Sequence, residues 1–310
     1  MVGVDSGDHP DSSASSRDTR SYTLANPQFA ALPVLSSASG SANIETFVTA
    51  KPQVIFMMGS ATNMTGETTS PADALEERTG IPVIAIPQGS YTTPEGRAEL
   101  YSSYRIIGKA LGRQDRAEKL SQYIETTITD LERRTQDIPE SEQKTAYIGG
   151  LSYGGSHGLM STQTSYPPFL WTHVKNIANG TVTQTTTYSK ESLIYADPDF
   201  IFIDAGTLGV TSEIGGFEDI RSPVFAELKA VKSGNVYATL PYNYRSSNLD
   251  TILADAYFVG KTVYPERFSD INPEKKADEI YSMFVNKPVF REINANCNNL
   301  GFTRFSGSGS

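Results

Sequence analysis

The chain has 310 residues, 38% of them hydrophobic and 20% charged, with a net charge of -9. That length suits two domains of ordinary size, and the acidic balance argues against a nucleic-acid partner, because phosphate contacts need a basic face. No apolar run approaches the length of a membrane span, and the single cysteine, Cys297, excludes an intrachain disulfide or a cysteine-built metal cage.

In chain order, residues 2–5 (Val-Gly-Val-Asp) read as a buried strand with nothing ahead of it to pair or cover it. No signal-peptide pattern opens the chain. Residues 6–21 crowd Asp, Ser, Gly and Pro together and read as loop. A short strand follows at 33–35, a helix at 43–50, a strand at 53–57, a helix at 71–79 closed by Gly80, and a strand at 81–86. This alternation predicts a parallel α/β sheet.

Two helices come next, at 95–111 and 115–138. The second places Leu120, Tyr123, Ile124, Ile128 and Leu131 on one apolar stripe. About 24 residues at ~1.5 Å each reach roughly 36 Å, enough to bridge two lobes, although an ordinary layer helix has the same spacing. The second half predicts strands at 145–148, 200–203 and 235–239, and helices at 169–179, 190–195, 222–228, 249–264 and 273–285. The expected organisation is a lobe at 1–112, a connecting helix region at 113–142, a lobe at 143–305 and a linker-like tail at 306–310.

One phrase occurs twice. Residues 45–56 run from Glu45 through Ala50 and Pro52 to Ile55-Phe56, and residues 191–202 run from Glu191 through Ala196 and Pro198 to Ile201-Phe202. Each copy reads as a helix end, a proline stop and an apolar strand. Two α/β lobes with a ligand cleft between them follow from the duplication.

Ligands of open α/β sheets sit beyond the carboxyl ends of strands. The loops in that position are 6–9, 36–43, 59–65 and 88–93 in the first half, and 149–166, 205–213 and 241–248 in the second. Asn43 and Gly59 stand at two of the first-half loops. In 149–166 the glycines permit close backbone approach, while Ser152, Tyr153, His157, Gln163 and Tyr166 supply hydrogen-bonding groups. In 241–248, Tyr242, Asn243, Tyr244 and Arg245 form a recognition surface. A guanidinium there forks onto carboxylate or oxyanion oxygens and the rings cover planar groups. A capped turn before the following helix, with Asn248 as N-cap, fits the same residues.

Two chemical readings compete. Gly150-Leu-Ser152-Tyr-Gly154 fits a nucleophile elbow, which would make the chain a serine hydrolase using Ser152. However, His157 and His173 do not occupy the late position that mechanism needs. The three histidines, His9, His157 and His173, have no metal-ligand spacing, although His157 with Tyr242 or Tyr244 is a conceivable ferric pair. No Walker loop or dinucleotide fingerprint is present.

At these loops the chain resembles the substrate-binding proteins of ABC importers for iron-siderophores, haem and cobalamin. The residues that carry the resemblance are 2–6, 43–56, 80–83, 196–201 and 228–237. The loop residues 152–158, 161–163, 166–169 and 242–244 resemble an iron-complex-binding prokaryotic subgroup. The resemblance implies an α/β fold of two Rossmann-like lobes with parallel sheets, joined by a single long helix, with the ligand cleft between them. It implies a periplasmic or cell-surface receptor, monomeric and without a cofactor or metal of its own. Such a receptor hands an iron chelate to an ABC permease and its ATPase subunits. Glu67 or Glu76 and Glu213 or Glu218 are the expected permease-docking acids. Molybdate or tungstate, or a corrinoid, are the alternative ligands. The family pattern places a leader or lipid anchor and then a first strand and helix ahead of the segment that matches Val2; this sequence lacks them, so the resemblance implies an N-terminally truncated member.

Overall fold

The computed structural model describes residues 1–10, 17–36, 43–59, 71–87, 89–152, 155–179, 185–209 and 215–305. The chain divides into two compact units, one of residues 1–14 and 26–124, the other of residues 15–25 and 125–310.

The first unit opens with Val4–Asp5 (β1), paired parallel with Val34–Ser36 (β2). In the sequence between them comes Ser21–Ala25 (α1), which belongs to the second unit. Ile44–Ala50 (α2), Ile55–Met58 (β3), Pro71–Thr79 (α3) and Val83–Ile86 (β4) follow, with β3 and β4 parallel. Pro94–Ala110 (α4) leads into Gln114–Thr135 (α5), inside which the division between units falls. The unit's small core is Leu35, Phe47, Ile55 and Leu75. Its opening strand is shorter than the sequence suggests, because Val2 is 47% exposed and Val4 alone is buried.

The second unit holds Thr145–Gly149 (β5), Ser161–Gln163 (β6), Pro167–Trp171 (α6), Lys175–Asn176 (β7) and Thr185–Thr187 (β8). Lys190–Ala196 (α7), Phe200–Asp204 (β9), Gly216–Asp219 (α8), Lys229–Lys232 (α9) and Val236–Thr239 (β10) come next. Leu249–Val263 (α10), Pro273–Val285 (α11), Phe290–Asn296 (α12) and Thr303–Arg304 (β11) complete it. The sheet order is β11-β10-β9-β5-β7, parallel except for β11. Strand β9 buries Ile201, Phe202 and Ile203 fully, as a central parallel strand covered on both faces does. Helix α10 is buried along most of its length, and its Phe258 stacks on Phe302 at 4.6 Å. Burying one such ring contributes about 1.5–3 kcal/mol.

The repeated phrase has one geometry in both units. Asn43 caps α2 by accepting the Thr46 amide at 3.3 Å, and Ser189 caps α7 by accepting the Ser192 amide at 3.0 Å. Each helix then ends on a left-handed residue, Lys51 at φ 48° and Asp197 at φ 40°. Their amides close onto the carbonyls of Phe47 and Leu193. Pro52 and Pro198 prevent continuation, and the chain enters β3 or β9.

The helix predicted at 169–179 is cut short. It stops at Trp171, His173 takes φ 50°, and Lys175–Asn176 joins β5 as an edge strand. Thr172 bonds back to the Pro168 carbonyl at 2.6 Å, and the Tyr264 hydroxyl holds the His173 carbonyl at 3.1 Å. Asn176 donates to the carbonyls of Gln163 and Thr164, so side-chain bonds outcompete helix propagation here. The predicted helix at 222–228 reduces to the 3-10 turn Pro223–Phe225 ahead of α9.

Candidate functional site

Strand β5 leads on to β7 on one side, whereas β9 and β10 lie on the other. The β5/β9 junction is therefore the topological switch point of this sheet, where ligand crevices form. The carboxyl ends of β5, β9 and β10 stand together, with Gly149 opposite Ile203 and Thr239 opposite Asp204. The loops after these three strands are adjacent, and they are bonded to one another. Asn243 donates its side-chain amide to the Ser152 carbonyl at 2.8 Å, and Thr207 donates its hydroxyl to the His157 carbonyl at 2.7 Å.

Two glycines allow this approach. Gly150 sits at φ 78°, and a Cβ there would lie 3.1 Å from the Asp204 carbonyl oxygen. A Cβ on Gly206 would lie 2.6 Å from Ser152 Oγ. Neither position accepts a side chain without displacing its neighbour.

The predicted residues fall into two layers. Ser152 and Asn243 are half-buried, Tyr244 is half-buried, and His157 and Arg245 are exposed. Beneath them Gln163, Tyr166 and Tyr242 are buried. Tyr242 donates its hydroxyl to Gln163 Oε1, and Tyr166 packs edge-on to Phe169 at 4.9 Å and beside Tyr242 at 5.9 Å. Arg245 takes φ 64° and stands 5.8 Å from the centre of the Tyr244 ring. Tyr153 lies outside the described residues, as do Glu67 and Glu213.

In the first unit, Asn43 caps α2, and Gly59 closes β3 at φ 139° with its amide on the Ile86 carbonyl. Glu76 is exposed and accepts the Val83 amide at 2.9 Å, while Glu218 pairs with Arg221 at 2.7 Å.

The nucleophile-elbow reading fails on geometry. An elbow needs a strand, a tight turn and then a helix whose amides face the serine. Ser152 is followed among the described residues by non-helical chain and then strand β6. His173, the later of the two downstream histidines, holds Thr135 Oγ1 through Nδ1 at 2.9 Å in a structural contact. No group of three or more His, Cys, Asp or Glu fit to hold a metal occurs among the described residues.

The sequence reading missed two features. Residues 17–20 are irregular chain, as the loop reading has it, and residues 21–25 form α1, but these residues are not a solvent-exposed connection. They lie in the second unit, where Asp18, Thr19, Arg20, Ser21 and Thr23 are all buried. Arg20 forms a forked pair with Asp18, at 2.9 Å from Nε and 2.6 Å from Nη2, and Ser21 donates to Asp250. The second feature is acidic. Asp204 ends β9 and Asp255 interrupts the apolar face of α10, 1% and 0% exposed. Asp204 accepts the Gly206 amide at 2.7 Å, Asp255 accepts the Leu240 amide at 3.0 Å, and burial pushes the Asp204 carboxyl up to about 8. Asp255 rises well above the usual carboxylate range through burial and the neighbouring Asp204. An aspartate closing the run Phe-Ile-Phe-Ile and another among Leu-Ala and Ala-Tyr were the available signals.

Known proteins are similar to this chain in sequence and in fold. A Bacillus subtilis (strain 168) protein, the uncharacterised ABC transporter substrate-binding lipoprotein YvrC, is 21% identical over 74% of this chain and 67% of its own. A periplasmic solute binding protein from Veillonella parvula DSM 2008 superposes with TM-score 0.69 at 19% identity, over 94% of this chain and 83% of that one. MolA, the molybdate periplasmic binding protein of a Haemophilus influenzae ABC transporter, gives 0.62 at 17% identity, over 86% and 82%. The periplasmic haem binding protein HutB of Vibrio cholerae gives 0.56 at 20% identity, over 85% and 90%. Residues 4–242 match the Periplasmic binding protein family. With that match covering more than half of its length, the chain belongs to the periplasmic binding protein family, the non-enzymatic substrate-binding proteins of ABC transporters.

Proposed function

We propose that this chain is an extracytoplasmic receptor that captures an iron chelate and delivers it to the permease of an ABC importer. The observation that carries the reading is the bonded trio of loops at the β5/β9 switch point. It presents Ser152, Asn243, Tyr244 and Arg245 on a frame fixed by the Asn243–Ser152 and Thr207–His157 bonds. An aromatic face beside a guanidinium suits a planar chelating group that carries anionic oxygens. Because the frame is set before binding, little ordering cost opposes association. The haem-binding activity in HutB's name and the resemblance at loops 152–158 and 242–244 support an iron complex. No helix among the described residues is long and apolar enough to cross a membrane. Glu76 and Glu218 are the proposed docking acids, and the receptor acts as a monomer without a cofactor.

A second reading is an oxyanion or corrinoid receptor. Arg245 and the glycine-bearing loop after β5 suit molybdate or tungstate, the first being MolA's ligand. A thermal-shift panel of hemin, ferric catecholate and hydroxamate siderophores, cyanocobalamin, molybdate and tungstate separates the readings. Hundredfold excess over Kd raises stability by about 2.7 kcal/mol. A shift with a ferric ligand supports the proposal. A shift confined to molybdate, tungstate or cyanocobalamin transfers it to the second reading, and no shift with any member rejects both.

A further inference from the structure

Among the described residues of the second unit, five buried oxygen atoms have no hydrogen-bond partner, and four of them concern one region: Asp204 Oδ2, Asp255 Oδ2, Tyr166 Oη and Thr239 Oγ1, the fifth being Thr162 Oγ1. Those four come from four elements, namely the end of β9, helix α10, the N-cap of α6 and the end of β10. Thr239 and Asp204 are register partners, and Asp255 holds the amide of Leu240, the residue after Thr239. Tyr166 feels both carboxyls and the Thr239 hydroxyl. The four oxygens thus share one neighbourhood, yet none makes a well-formed hydrogen bond. A single bridging water with two to four polar partners satisfies such a set.

Both carboxyls also have an outward role. Through Oδ1, Asp204 holds the Gly206 amide and Asp255 holds the Leu240 amide, at the roots of two of the proposed ligand loops. Two buried carboxylates this close do not both ionise. The titratable groups around them are Tyr166, Tyr242, Tyr281, Asp250 and Cys297. Arg17 is the cation that acts on Cys297 within this set.

We propose that Asp204, Asp255, Tyr166 and Thr239 form an internal proton-binding site, bridged by one water, that keeps the loops rooted at Gly206 and Leu240 rigid while protonated. The inference rests on the ligand reading only for what those loops hold, and every arm of its test is ligand-free, so either can fail alone.

The carboxyl ¹³C shifts of Asp204 and Asp255 report titration directly. Midpoints above neutral are expected, and midpoints near 4, the ordinary value, overturn the site. The second arm compares amide exchange protection of Gly206 and Leu240 in the wild type and in the double variant Asp204→Asn/Asp255→Asn, whose two side chains stay neutral at every pH. Between pH 7 and 9 wild-type protection falls about tenfold, the change expected one unit past a midpoint near 8, whereas the variant stays flat. Parallel pH profiles in the two proteins refute the proposal. If the double variant does not fold, the ¹³C titration of the wild type decides alone.

Discussion

The guanidinium of Arg20 lies 5.6 Å from the centre of the Tyr244 ring, with the Tyr22 ring 5.5 Å from it as well. A residue from the N-terminal part of the chain therefore supports a ring of the proposed ligand surface. Burial disfavours the charge on Arg20, but the forked bonds to Asp18 outweigh it and leave the guanidinium pKa raised. Asn296 anchors the same segment through the Asp18 carbonyl at 2.6 Å.

Replacing Arg20 by Met leaves Asp18 buried and unpaired, so the loss is of the order expected for breaking a buried pair. Denaturant unfolding of Arg20→Met is expected to show about 3–5 kcal/mol less stability than the wild type. Asp18→Asn with Arg20→Met removes both charges and recovers part of it. A single-variant loss below about 0.5 kcal/mol would show that the pair is solvated and does not brace Tyr244.

The twin helix ends give a paired test. Lys51 holds a left-handed conformation with an exposed side chain, so Lys51→Gly relieves backbone strain and raises stability by about 0.5–1 kcal/mol. Asp197 occupies the matching position but also accepts the Lys229 amide at 2.6 Å. Asp197→Gly loses that bond and shows no gain. Equal effects at the two sites would contradict the claim that the copies share backbone geometry and differ in side-chain duty.

Gly206→Ala places a methyl group where Ser152 Oγ and Asp204 Oδ1 already sit, at 2.6 and 2.7 Å from the new carbon. Overpacking of this kind costs about 1–3 kcal/mol and pushes the loop after β9 away from the loop after β5. Calorimetry gives the stability loss, and Ser152→Gly in the same chain restores part of it. A fully stable Gly206→Ala protein would mean that these loops are not in contact.

Cys297 is 1% exposed, and burial, with Asp204 and Asp255 nearby, raises its thiol well above the usual range. Only thiolate reacts with an aromatic disulfide reagent, so labelling of the native protein at pH 8 is expected to be slow and limited by opening of the fold. Full labelling in denaturant serves as the control. Rapid native labelling would place Cys297 at the surface and remove it from the acidic neighbourhood.

Much of the scaffold was legible from local chemistry. The proline stops at 52 and 198 and the apolar run of β9 each act over a few residues, and they appear in the structure at those positions. The predicted helix at 169–179 was misread because its termination depends on Tyr264 and on the Gln163 and Thr164 carbonyls, remote in sequence from His173 or from one another's partners. The burial of residues 18–21 was missed for a related reason. Ser21 is met by Asp250, the Arg20 guanidinium by the Tyr244 ring and the Asp18 carbonyl by Asn296, all inside the second unit and announced by no local pattern. At the site, Ser152 and residues 243–245 could be placed from their position after strands. The acidic pair beneath them was hidden, because each aspartate looks in the sequence like an isolated interruption of an apolar run.

The central claim is that the loops after β5 and β10 bind an iron chelate, and equilibrium titration tests it most directly. Tryptophan fluorescence, reporting through Trp171, follows hemin and a ferric catecholate siderophore added to the wild type, Tyr244→Ala and Arg245→Ala. The account predicts saturable one-to-one binding of at least one of them, weakened about tenfold or more by each substitution while both variants remain folded at the titration temperature, a loss of ~1.4 kcal/mol per contact. Absence of binding to both ligands, or binding that neither substitution alters, would contradict it.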